Sequence, residues 1–252
     1  MLIDTHAHLY LKQFDNDRKE VISRAEEAGI KKFFLPNIDS TSIDSMLKME
    51  EDFQGKCFAM MGLHPCSVKE NYIDELQIVE EWLQKRKFCA IGELGIDLYW
   101  DKTFFEQQKK AFLTQVEWAI DLQLPIVIHC RESMDITIEL LQPYNGKVNG
   151  IFHCFGGTVE QANKIMDLNF LMGIGGVLTY KKAKLDDVVK EIPLEYLVLE
   201  TDSPYLAPVP FRGKRNESGY VKNIAEKLAE AKDISLEDVA KATTHNALNL
   251  FE

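Results

Sequence analysis

The chain has 252 residues, 46% apolar and 27% charged, so it reads as an ordinary globular protein with room for a sizeable core. No apolar run reaches the roughly 18 residues that span a bilayer, and no basic region followed by an apolar segment suggests a secretory signal. The net charge of −11 argues against a protein that coats nucleic acid, though not against an enzyme that holds a phosphodiester through metal ions.

Short apolar runs alternate along the chain with longer amphipathic ones. The first run, "LIDTH" (2–6), is followed at once by His8. Strand periodicity would place Leu2, Asp4, His6 and His8 on one face. "DNDRKEVISRAEEAG" (15–29) has helical spacing, and Gly29 suits its C-terminal end. Strands are then expected at "KKFFLPN" (31–37) and "CFAMMGLHP" (57–65), a helix at "IDELQIVEEWLQKR" (73–86), and a fourth strand at "FCAIGELGID" (88–97). After the helix "FFEQQKKAFLTQVEWAIDL" (104–122) come "LPIVIHC" (124–130) and "VNGIFHC" (148–154). The helix "TVEQANKIMDL" (158–168), the strands "NFLMGIGG" (169–176) and "YLVLETD" (196–202), and a closing helical stretch (235–252) complete the series. Eight strands alternating with helices predict parallel βαβ units and a single (β/α)8 TIM-barrel domain over 1–252, with a doubly wound open sheet as the alternative.

Five of the six histidines fall at the C-terminal end of an expected strand: His6, His8, His64, His129 and His153. Glu93 and Asp202 hold similar positions. Each has an ordinary reading alone: a solvated pair, a turn residue, a helix cap or a buried histidine. In a barrel these strand ends share the face where active sites form, so residues distant in sequence would meet. Imidazoles and carboxylates without cysteine suit a hydrolytic centre for one or two divalent ions. Glu200 shares parity with Asp202, and Asp4 with His6. Either carboxylate could orient a ligand from behind or be purely structural.

The same parity turns Cys130 and Cys154 away from the barrel interior, as packing residues under the helices. The five cysteines are odd in number and form no CxxC pair, which predicts reduced thiols and a cytoplasmic protein. His245 lies away from any strand end and reads as a structural or surface residue. "GIGG" (173–176) lacks phosphate-loop spacing and reads as close backbone approach. Basic residues gather in "YKKAK" (Lys181, Lys182, Lys184) and "FRGKRN" (Arg212, Lys214, Arg215), with Arg131 on the same face. Cations around a metal centre in an acidic protein suggest a phosphate-bearing substrate.

The motifs "IDTHAHL", "GLHP", "IGELGID", "PIVIHCRES", "FHCFGG", "LETDSPYLAP", "FRGKRNES" and "TTHNALNLF" run along nearly the whole chain. As a set they resemble the TatD family of metal-dependent deoxyribonucleases, among the amidohydrolase-like barrels. The resemblance implies a metallo-hydrolase barrel that cleaves phosphodiester bonds in DNA with divalent ions, two per subunit. Magnesium, zinc, manganese, nickel and iron are not distinguished. It further implies metal ligation by His6, His8, Glu93, His129, His153 and Asp202. Glu93 would bridge, with His6, His8 and Asp202 on one ion and His129 and His153 on the other. Asp202 is the expected general base for the attacking water, and His64, Arg131, Arg212 and Lys214 would hold substrate. DNA is the expected partner, with no membrane and no obligate protein partner.

Ser218 stands where the family usually has proline, and Ile96 where it usually has leucine. A metal-dependent amide or ester hydrolase, such as a D-aminoacyl-tRNA deacylase, is the alternative, followed by a binding protein with a vestigial site.

Overall fold

A computed structural model describes all 252 residues. The eight strands are β1 (Leu2–Asp4), β2 (Ile30–Leu35), β3 (Cys57–Ala59), β4 (Ile91–Asp97), β5 (Ile126–Arg131), β6 (Gly150–Phe152), β7 (Leu171–Ile174) and β8 (Leu197–Leu199). All neighbouring pairs are parallel, in the orders β1–β2–β3 and β4 to β8. Two seams join these arcs. A parallel bridge between Met61 and Ile91 links β3 to β4. At the other seam the Thr5 N–H donates to the Leu199 carbonyl, and the Asp202 N–H donates to the His6 carbonyl. The result is a closed (β/α)8 barrel, not the open sheet.

Nine helices surround it: α1 (Arg18–Glu27), α2 (Ile43–Asp52), α3 (Tyr72–Lys85), α4 (Phe105–Leu122), α5 (Met134–Leu141), α6 (Val159–Asp167), α7 (Leu185–Glu191), α8 (Val221–Lys232) and α9 (Leu236–Phe251). Gly29 ends α1 at φ +95°, as its position suggests. Thr158 and Gln161 form a reciprocal cap at the start of α6. No helix is long and apolar enough to cross a membrane.

Strand alternation divides the core in two. Ile126, Ile128 and Phe152 face outward into the large cluster beneath the helices. Ile3, Phe34, Met60, Ala90, Val127, Ile151 and Val198 face inward and fill the barrel. Ala247 joins this inner cluster from α9, and Phe251 stacks on Phe34 with ring centroids 4.0 Å apart. Thus α9 plugs the N-terminal end, and the apolar interior becomes the floor beneath the opposite, polar end. His129 follows Val127 by two residues and His153 follows Ile151, so both inherit the inward direction.

Strand parity fails for the first motif. Ile3 points into the barrel and Leu2 outward, because β1 is regular only to Asp4. The chain then bends, and His6 enters the site from irregular backbone.

Candidate metal centre

Glu93 was expected at the end of a strand, but it lies near the start of β4 and the strand runs on to Asp97. A register shift explains how it reaches the interior. Gly92 pairs with Val127 and Leu94 with Ile128, so Glu93 is an extra residue bulged out of the ladder. Its N–H donates to the Asn37 carbonyl at 3.1 Å, across the barrel mouth. Further along β4, a Cβ at Gly95 would meet the His129 carbonyl at 2.0 Å, so glycine there lets β4 and β5 approach.

The Glu93 carboxylate divides the imidazoles between its oxygens. Oε2 lies 3.1 Å from His6 Nε2 and 3.5 Å from His8 Nε2. Oε1 lies 2.9 Å from His129 Nδ1 and 2.8 Å from His153 Nε2. Each half contains a close nitrogen pair: His6–His8 at 3.3 Å and His129–His153 at 3.3 Å. Asp202 joins the first half, with Oδ1 3.5 Å from His8 Nε2 and 3.8 Å from His6 Nε2. Burial pushes the Glu93 carboxyl up, but His153, His6, His64 and the His129 hydrogen bond outweigh it and hold the group well below its usual range. Burial raises Asp202 too, and its histidine contacts, His8 foremost, bring it below its ordinary value. Both acids are therefore carboxylates.

Groups behind the rings fix which nitrogen faces inward. The Tyr10 hydroxyl donates to the Pro36 carbonyl at 2.6 Å and so accepts from His8 Nδ1 at 2.9 Å. Asp97 accepts from His129 Nε2 at 3.0 Å, which leaves Nδ1 for the centre. Carboxylates or hydroxyls bonded behind the ring set the tautomer of a metal-binding imidazole, as Tyr10 does for His8 and Asp97 for His129. Glu200 accepts the Cys154 N–H at 2.6 Å; with Oε1 3.4 Å from His153 Nδ1 and no hydrogen bond formed, it lies behind that candidate ligand. Asp4 does not: it is buried against Thr201, accepts the Thr201 N–H at 2.9 Å and hydroxyl at 2.6 Å, and burial pushes it up to about 7.

Two close pairs of imidazole nitrogens around one ionised carboxylate are a donor set for cations. His6 with His8 and Glu93, and His6 with His153 and Asp202, each place candidate ligand atoms within 4.8 Å of one another. His64, Glu93 and His129 meet the same distance criterion. His64 is nonetheless a poor ligand. Its Nδ1 accepts the Cys66 N–H at 3.0 Å, and burial holds its pKa down, so the proton of the neutral ring sits on Nε2. That N–H faces Glu93 Oε1 at 3.5 Å and is a donor into the site.

A cavity of about 500 Å³ lies beside the candidate ligands, between the N-terminal ends of α5 and α6, and none of the six lines it. Cys130 packs against the cluster beneath the helices, as expected, and it also lines this cavity with Cys154, Arg131 and Gln161.

The basic loops divide. Arg215 is committed elsewhere, bidentate on Asp17 at 2.7 and 2.6 Å, and Arg24 holds Glu217, so this network ties the loop after β8 to α1. Arg212 is exposed and stacks over Tyr180 at 4.6 Å, while Lys181, Lys182, Lys184 and Lys214 are exposed. Arg131 is exposed and lies on the Tyr99 ring at 3.8 Å. "GIGG" is close packing as expected: a Cβ at Gly173 would meet Glu200 Oε2, and one at Gly176 the Leu206 carbonyl, both at 2.0 Å. His245 is exposed on α9 and pairs with Asn249 at 2.9 Å.

The Asp17–Arg215 pair has a pH signature. The Arg215 hydrogen bond lowers Asp17 from 3.8 to about 2. A lowered carboxylate pKa contributes stability above the unfolded value and loses it as pH falls through the folded one. Arg215→Met is expected to destabilise the fold by about 1 kcal/mol at neutral pH, the upper end for a partly exposed pair. The difference should fade between pH 3.8 and about 2, as measured by denaturant unfolding across pH.

A profile of the TatD-related DNase family matches residues 3–252. The chain belongs to the TatD family. A relative from Bacillus subtilis named the uncharacterized metal-dependent hydrolase YabD is 41% identical over 253 residues, covering 100% of this chain and 99% of that one. A Pantoea ananatis relative named 3′-5′ ssDNA/RNA exonuclease TatD is 32% identical and covers 99% of both. The crystal structure of the TatD homologue YjjV from Escherichia coli superposes with a TM-score of 0.94 at 30% identity, covering 99% of this chain and 97% of that one. The protein is a TatD-family metal-dependent hydrolase, an enzyme built on a (β/α)8 barrel.

Sequence reasoning missed Asp97 and Tyr10, which hold candidate ligand rings from behind. Asp97 had a signal in its even spacing from Glu93 along one strand, whereas Tyr10 lies in a turn beyond β1 and had none.

Proposed function

We propose that the protein cleaves phosphodiester bonds in DNA at a centre for divalent ions built around Glu93. His6, His8 and Asp202 would hold one ion, and His129 and His153 a second, with Glu93 shared between them. The observation that carries this reading is the division of four imidazoles between the two Glu93 oxygens. Bound ions would supply Lewis acidity and make the attacking water acidic near neutral pH. Asp202 would accept the proton of that water on its carboxylate. Its side chain is 16% exposed against 2% for Glu93, so it is the carboxylate that water can reach. His64, with its proton fixed on Nε2, donates to a phosphate oxygen. Arg131, Arg212 and Lys214 attract the anionic chain.

The amide or ester hydrolase reading uses the same centre. The exposed cations at the barrel mouth favour the phosphate. Incubating the metal-loaded protein with single-stranded DNA, duplex DNA and an aminoacyl ester, each with a chelator control, separates the two. Metal-dependent cleavage of DNA is expected; turnover of the ester alone would replace the proposal.

His64→Ala should retain its metal. Turnover on DNA should fall about 10²–10³-fold, the scale of one lost donor to developing charge. Elemental analysis with steady-state kinetics checks both. Wild-type turnover would make His64 structural, and loss of metal would make it a ligand.

A further inference from the structure

Of the nine large apolar side chains that are exposed, five lie in the loops after β4 and β8: Tyr99, Trp100, Tyr205, Leu206 and Val209. Isolated exposed apolar residues are ordinary on a protein surface, but a concentration at the mouth of a catalytic barrel points to a ligand. The most open is Trp100, at 68% exposure. It stands edge-on to Tyr99, with ring centroids 4.9 Å apart and planes at 87°. The Arg131 guanidinium covers Tyr99 at 3.8 Å and lies 5.3 Å from Trp100. A guanidinium stacked on a ring keeps its N–H edges free for a phosphate.

Asp97 ties this cluster to the metal centre. Its Oδ1 accepts the Tyr99 N–H at 2.9 Å and the Trp100 N–H at 3.1 Å, while its Oδ2 accepts from His129 Nε2 at 3.0 Å. One carboxylate therefore sets both the aromatic loop and a candidate metal ligand. The loop is thereby tied to the candidate metal centre through one side chain.

We propose that Trp100, supported by Tyr99 and Arg131, is a stacking platform for an unpaired base of a nucleic-acid strand whose scissile phosphate lies at the metal centre. The proposal rests on the phosphodiesterase reading above. An aromatic face accepts any base, so the platform favours single-stranded nucleic acid without reading sequence. A base within a duplex is already stacked on its neighbours and has no free face to offer.

A mixed cycle tests the platform on the metal-loaded protein. Binding of a labelled, phosphorothioate-linked oligothymidylate is compared with binding of its abasic counterpart, for wild type, Trp100→Ala and Trp100→Phe. Trp100→Ala should weaken the base-bearing oligomer about tenfold, the scale of one lost stack, and leave the abasic one within about twofold. Trp100→Phe should restore most of the difference. Equal losses on both oligomers, or less than about a threefold loss on the base-bearing one, would overturn the platform. So would duplex DNA binding as tightly as the single strand. Hydrolysis of the ordinary oligomer is read separately. Base-dependent coupling without hydrolysis would leave the platform and remove the nuclease reading. Hydrolysis without coupling would do the reverse.

Discussion

Glu93→Gln is expected to cost about 10³-fold or more in turnover, because in the proposed centre several kcal/mol of transition-state stabilisation would depend on the ions it would hold and each 1.4 kcal/mol is tenfold. Glutamine keeps the shape of the side chain but has one oxygen and no charge. The carboxylate now serves His6 and His8 through Oε2, and His129 and His153 through Oε1. The amide can satisfy at most one half, and its NH₂ would face imidazole nitrogens that are themselves aimed at a cation. Metal content should fall in both halves together. Elemental analysis of the purified variant, beside single-turnover cleavage of a short DNA, reads both effects. Loss of metal from one half only would show that Glu93 does not bridge. Near-normal turnover would remove it from the centre.

Asp202→Asn separates ligation from proton transfer. The asparagine retains an oxygen toward His8 and His6 but cannot take a proton at neutral pH. Turnover should fall about 10²–10⁴-fold, the usual contribution of a general base, while metal in the half formed by Glu93, His129 and His153 is retained. Near-normal turnover with full metal would remove the base assignment. Loss of both ions would make Asp202 chiefly a ligand and leave the proton acceptor elsewhere.

The barrel was legible because its strands carry short apolar runs whose inner and outer residues separate cleanly, as Val127 does from Ile126 and Ile128. The convergence of His129 and His153 followed from the same alternation. Glu93 was placed at the wrong depth: it occupies a bulge in β4, and a one-residue register shift leaves no mark in an apolar pattern. His6 likewise reaches the site after β1 has ended, where periodicity carries no information. The division of the basic loops was hidden as well. Arg215 and Arg212 look equivalent in "FRGKRN", and only the fold brings Asp17 to Arg215 and Tyr180 to Arg212. The contact of Asp97 with the His129 ring forms only when β4 and β5 pair, whereas its bonds to the Tyr99 and Trp100 amides are local.

The most direct test is a metal titration of chelator-stripped wild-type protein, with bound metal and hydrolysis of a labelled single-stranded oligonucleotide measured on the same samples. A Glu93-bridged centre predicts no hydrolysis in the stripped protein and turnover that saturates near two ions per chain. Full turnover without metal, or a metal-saturated protein that leaves the oligonucleotide intact, would contradict it.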